Sequence, residues 1–92
     1  MKIEFDPAKS ERNARERGLP FELAENFDWE RAEYREDARF PYPERRMIAV
    51  GYLGKRLHFV CFTTRGETIR VISFRKANNK EIRDYEKKKT AY

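Results

Sequence analysis

Hydrophobic positions are sparse in the first half of this chain and crowded in the second. From residue 47 they fall into three blocks, MIAVGYL, LHFVCFTT and TIRVISFR, separated by the short glycine-bearing stretches GKR and RGE. Blocks of that length, rich in β-branched and aromatic residues, predict strands, and hairpin-sized linkers make them antiparallel neighbours. Strict alternation in the last block puts Arg70, Ile72 and Phe74 on one face and Ile69, Val71, Ser73 and Arg75 on the other. Both faces are then mainly apolar, so this strand belongs inside the sheet. Asn78 followed by Glu81 three residues later has the spacing of a capping box, and a helix is expected from about residue 79 to the lysines at 87–89.

The first half is more polar. Ile3 and Phe5 make a short strand, and Asp6-Pro7 starts a helix that Gly18 ends. That helix is polar nearly all round and is expected to pack through Ala8 and Ala14. Pro20 opens a second helix, PFELAENF, with Phe21, Leu23, Ala24 and Phe27 on one face toward the core. In residues 28–46, RAEYRED reads as an edge strand and FPYPE as a turn. The fold class is α+β: a central antiparallel β-sheet with two N-terminal helices and one C-terminal helix, in a single domain over residues 1–92.

Composition narrows the function classes. Charged residues make up 40% and aromatics 14% of the 92 residues, a pairing that argues against disorder. No apolar run reaches membrane-spanning length and no signal-peptide pattern opens the chain, so a cytoplasmic protein with no membrane partner is expected. Cys61 has no disulfide partner and reads as a buried small hydrophobe. One His and one Cys cannot supply a usual zinc set, and neither metal nor cofactor is expected. The net charge of +5 is unevenly spread: residues 1–46 hold 10 Lys/Arg against 12 Asp/Glu, and residues 47–92 hold 11 against 4. A basic half-domain attracts polyanions, nucleic acid first.

An arginine inside a strand, such as Arg70, must reach the rim, pair with a carboxylate or bind an anion. Arg65 in the preceding turn adds a guanidinium, and Glu81 and Tyr85 share one helix face at i and i+4. No nucleophilic triad or glycine-rich phosphate loop is present. A set of Arg, Lys and hydroxyl groups can stabilise a pentavalent phosphate by charge. It can equally consist of arginines paired with sheet-edge carboxylates, and the residues alone leave both readings open.

The motifs F-D-x-x-K-x-x-x-N (residues 5–13), F-x-x-A-x-x-F (21–27), T-x-R-G-x-x-I-R-x-I-S-x-R-x-A (63–77) and E-x-x-x-Y (81–85) occur in order along the chain. In these the chain resembles the BrnT toxins of bacterial type II toxin–antitoxin systems. The resemblance implies a RelE-like fold and a metal-independent ribonuclease that inhibits translation. It also implies neutralisation by a BrnA-type ribbon-helix-helix antitoxin, covering the basic sheet face, with promoter DNA bound only through the antitoxin complex. The implied reaction is attack of the ribose 2′-hydroxyl on the adjacent phosphate.

On the matching positions, Arg65 and Arg75 become candidate phosphate or transition-state clamps. Tyr85 becomes a proton donor or base-stacking platform, and Glu81 a general base or the holder of an arginine. Lys9, Arg46, Lys55, Arg56, Arg70 and Lys76 become RNA-binding candidates, Lys9 equally a solvated helix residue. The chain departs from the family at Arg17-Gly18, where many members carry His-Gly. Its only imidazole, His58, lies outside the motifs and reads as a packed strand residue. The competing expectation is a non-catalytic basic module docking an acidic partner or nucleic acid.

Overall fold

A computed structural model describes residues 1–90. In chain order the elements are β1 (Lys2–Glu4), α1 (Pro7–Arg17), a 3-10 helix (Phe21–Asn26), β2 (Glu33–Glu36), β3 (Met47–Leu53), β4 (Arg56–Arg65), β5 (Thr68–Lys76) and α2 (Asn79–Thr90). The five strands form one sheet in the order β1-β5-β4-β3-β2. The architecture is α+β, but the sheet is mixed rather than antiparallel throughout. β2 to β5 pair antiparallel, whereas β1 joins β5 in parallel, Ile3 opposite Ile69. With β1 outside it, β5 is an interior strand, as its two apolar faces require, and β2 is the edge strand expected in RAEYRED.

Local chemistry sets the element ends. The Asp6 carboxylate accepts from the Ala8 N–H at 2.9 Å with Pro7 in the first turn, and Gly18 closes α1 at φ 65°. At α2 the capping box is reciprocal: the Glu81 N–H donates to Asn78 Oδ1 at 2.8 Å, and the Asn78 N–H donates to Glu81 Oε1 at 2.9 Å.

Two helical expectations change. The segment after Pro20 is a 3-10 helix, whose three-residue turn stacks Phe21, Ala24 and Phe27 in one buried row and turns Leu23 out to 36% exposure. α1 is held by polar side chains rather than by Ala8, which is exposed. The buried Ser10 hydroxyl donates to Glu22 at 2.8 Å and accepts from the Phe21 N–H at 2.8 Å. The Asn13 amide donates to the Leu19 carbonyl at 2.7 Å and to the Phe74 carbonyl at 2.9 Å. The latter lies on the stretch of β5 that β1 does not cover, so a side chain satisfies an otherwise unpaired strand margin.

The sheet is buried on both faces. One packs Val60, Phe62, Val71 and Phe74 against Leu19 and the 3-10 row. Gly51 admits the Phe27 ring there, since a Cβ would meet its Cζ at 2.9 Å. The other face packs Ile48, Val50, Leu57, Phe59 and Cys61 against Ala77, Ile82 and Tyr85. Burying side chains of this size stabilises by about 1.5–3 kcal/mol each.

The alternation in β5 is broken. Cys61 pairs with Ser73 but Phe62 pairs with Val71, leaving Ile72 as an extra residue in a β-bulge. The bulge turns Phe74 onto the face of Val71. Arg75 goes to the α2 face, over the ring of Phe59. Arg70, opposite Thr63, already points that way. The two arginines, separated by strict alternation, therefore share one face.

Candidate functional site

The α2 face collects the strand arginines. Arg75 is the most firmly held. Its guanidinium lies 3.9 Å above the Phe59 ring centroid, and Nη1 and Nη2 each donate to one Glu81 oxygen at 2.9 Å. Nη1 also donates to the Lys76 carbonyl at 3.1 Å. Arginine has five N–H donors. Here Nε–H and the second Nη2–H have no partner among the described residues, and together they form the fork that grips two oxygens of a phosphate. The side chain as a whole is 27% exposed.

Glu81 is an orienting group in this geometry. Burial pushes its carboxyl up, but the Arg75 hydrogen bonds, the Asn78 N–H and the charges of Arg75 and Arg35 outweigh this and hold it below the usual carboxylate range. A carboxylate so satisfied is a weak base. Tyr85 is 7% exposed, and its hydroxyl donates to the Arg31 carbonyl at 3.3 Å. Burial raises the phenol, with Tyr52 and the acids Asp28 and Glu33 adding to the rise. Its ring meets Tyr52 edge-on at 5.8 Å, so it is packed as a wall and presents no open platform. A groove of about 620 Å³ runs between α2 and strands β2 and β3, floored by Ile48, Val50 and Tyr85 and bordered by Arg35, Glu81 and Lys88.

The other candidates divide by position. Arg70 sits toward the far end of the same face, 3.4 Å from Glu4 and, at strand rise, roughly 15 Å from Arg75. Arg65 ends β4 opposite Thr68, seven positions before Arg75, so the two Cα atoms are separated by roughly 20 Å. Arg65 and Arg75 thus do not converge on one phosphate. Lys55 and Arg56 lie at the opposite hairpin, where Arg56 Nη2 donates to the Ala77 carbonyl at 3.2 Å. Lys76 follows Arg75 and pairs with His58 on the reverse face. Lys9 lies on α1, and its charge reaches Cys61. Arg17 is an exposed residue in the last turn of α1.

His58 is buried and tilted against Phe74 at 5.7 Å, with Nδ1 2.9 Å from the Arg56 carbonyl. A carbonyl only accepts, so Nδ1 carries the hydrogen. Burial holds this imidazole below its ordinary value, and it stays a packed strand residue. Burial and the neighbouring Asp37 charge push the Cys61 thiol up, while Arg46, Arg39 and Lys9 oppose the rise.

In the loop between β2 and β3, sequence reasoning singled out Arg46 as an RNA-binding candidate but passed over Asp37. Asp37 is 3% exposed and accepts from Arg39 Nε at 2.8 Å and Nη2 at 3.0 Å, from the Tyr42 hydroxyl at 3.4 Å, and from Cys61 Sγ at 4.0 Å. The Arg39 hydrogen bonds hold its carboxyl at about 2 despite burial. The loop is pinned to the α2 face a second time where Thr63 Oγ1 donates to the Arg45 carbonyl at 2.9 Å. Apart from Arg46, its sequence signal was the pair Pro41 and Pro43 around Tyr42 in a stretch dense with aromatics and charge.

Among the described residues no three His, Cys, Asp or Glu side chains are placed to hold a metal ion, and no helix is long and apolar enough to cross a membrane. Residues 5–81 match the family described as "Ribonuclease toxin, BrnT, of type II toxin-antitoxin system". No curated protein matches the chain.

Proposed function

The chain belongs to the BrnT family of ribonuclease toxins of type II toxin–antitoxin systems, and on that premise we propose that it cleaves RNA on the α2 face, with Arg75 gripping the scissile phosphate. The observation that carries this reading is the Arg75 guanidinium, oriented by Glu81 on one side and, among the described residues, unpaired on its Nε/Nη2 fork on the other. The ribose 2′-hydroxyl attacks the adjacent phosphorus, and the 5′-oxygen of the next nucleotide leaves. The products are a 2′,3′-cyclic phosphate and a 5′-hydroxyl. Negative charge grows on the phosphorane oxygens, and a preoriented guanidinium stabilises it without reorganising. Arg70 holds the strand farther along, and Glu81 acts by fixing Arg75. The proton of the attacking 2′-hydroxyl leaves to solvent and the leaving 5′-oxygen takes one from solvent, so charge stabilisation supplies most of the acceleration. The RelE-like architecture implied by the resemblance belongs to this reading, supported by a five-stranded sheet flanked by helices.

One observation favours a second reading, a module that binds RNA without cutting it. The acids on this face are already engaged by arginines, Glu81 by Arg75 and Asp37 by Arg39. Inducible expression in a bacterial host separates the two. The ribonuclease reading expects growth arrest and shortened transcripts, both relieved by co-expressing a BrnA-type antitoxin and both lost in Arg75→Ala. Arrest with transcripts intact supports the binding module.

A further inference from the structure

The loop over residues 37–46 has a feature that folding does not explain. Phe40 is 62% exposed, so its ring gains little from burial. It meets Tyr42 edge-on at 5.8 Å, and the Arg46 guanidinium covers the Tyr42 ring at 4.0 Å. Phe40, Tyr42 and Arg46 therefore form a short aromatic–cation column.

The column is preorganised. Pro41 and Pro43 fix the backbone on both sides of Tyr42. Asp37 anchors the Tyr42 hydroxyl from below and ties the loop to Cys61. Arg46 Nε is buried without a hydrogen-bond partner among the described residues, an orphaned donor within the column. A shallow concavity of about 520 Å³ runs along the same segment.

The loop's charges indicate what the column takes. Each of its three arginines has a carboxylate at hand: Arg39 with Asp37, Arg45 with Glu36, Arg46 with Glu44. So balanced, the loop is poorly suited to collect phosphates by charge. The exposed Phe40 ring, backed by the half-buried Tyr42 and a guanidinium, suits a flat, unpaired base, whose stacking does not depend on net charge. The Thr63–Arg45 bond places the loop next to Arg70, which pairs with Thr63 across the strands.

We propose that Phe40, with Tyr42 and Arg46 behind it, is a stacking subsite for one unpaired nucleobase of an RNA strand whose phosphates lie across Arg70 and Arg75. This rests on the ribonuclease reading and deepens it. The face holds the backbone, the loop takes a base, and the substrate is single-stranded at that position. A paired base in a duplex has both faces occupied and cannot stack on Phe40.

The test is equilibrium binding of a single-stranded RNA oligonucleotide carrying a 2′-deoxy sugar at the scissile position, which blocks attack. Wild type, Phe40→Ala and Phe40→Trp are each measured against the intact oligonucleotide, a set with one abasic nucleotide walked along it, and a duplex. The expected result is about ten-fold weaker binding by Phe40→Ala, restored by Phe40→Trp. One abasic position should cost wild type a similar factor and cost Phe40→Ala nothing. The duplex should bind wild type more weakly than the single strand. Equal binding by wild type and Phe40→Ala, or no abasic position whose loss vanishes in the variant, overturns the subsite and leaves the ribonuclease reading standing. A wild type that binds neither form overturns both.

Discussion

Arg75 and Glu81 meet in a two-pronged ion pair, both contacts 2.9 Å, that ties the last strand to the first turn of the C-terminal helix. The same Glu81 carboxylate closes the helix cap on the Asn78 N–H. One side chain therefore orders the helix start and aims the guanidinium, so local folding and site geometry share a single joint.

That sharing makes Glu81→Gln informative. The amide oxygen can still cap the helix, but the charge that fixes Arg75 is gone. Cleavage is expected to fall by about ten- to a hundred-fold, the cost of a misplaced catalytic group, with only a small drop in Tm. In a double-mutant cycle with Arg75→Ala the losses should be strongly non-additive. Fully additive losses would separate Glu81 from Arg75.

Asp37 predicts an acid limb in stability. Its carboxyl titrates near 3.8 when unfolded and at about 2 when folded, so the unfolded chain takes up the proton first. Its contribution is complete above the unfolded value and is lost as pH falls toward and through the folded one. Wild-type Tm should fall between about pH 4 and pH 2, beyond the loss from other carboxylates. Asp37→Asn should start lower at neutral pH and show a shallower fall. Parallel curves for the two proteins would contradict the assignment.

Asn13 serves two carbonyls from different parts of the chain, so Asn13→Ala leaves both without that donor. The expected cost is about 1–3 kcal/mol, and each kcal/mol is worth roughly 4–8 °C in Tm for a domain this size. Asn13→Asp should be worse than alanine at neutral pH, because a carboxylate would face two carbonyl oxygens. Thermal unfolding of the three proteins decides it. An unchanged Tm in Asn13→Ala would show that the strand margin is satisfied without it.

Much of the fold was legible because its signals are local. The hairpin-sized linkers GKR and RGE, the Asp6-Pro7 start, the Gly18 stop and the Asn78–Glu81 box each act within a few residues. The misses involve information those signals lack. β1 pairs through three residues, too few for periodicity to show its direction. The helix after Pro20 has apolar residues at spacings that suit either a 3.6- or a three-residue turn. Only the burial of Phe21, Ala24 and Phe27 with Leu23 turned outward separates them.

The bulge at Ile72 matters most for the site, because it moves Arg75 across the sheet without changing the hydrophobic composition of the strand. The arginines were legible as candidates, but their shared face was not. Asp37 was hidden for a related reason: it looks like one more surface acid until the loop folds over Cys61 and buries it.

The central claim is that Arg75 makes this chain a ribonuclease, and it is tested most directly by end analysis of RNA incubated with purified protein in EDTA. Wild type should leave 2′,3′-cyclic phosphate and 5′-hydroxyl ends, and Arg75→Ala should cut at least about a hundred-fold more slowly while remaining folded. Intact RNA with wild type, or equal cutting by Arg75→Ala, would contradict it.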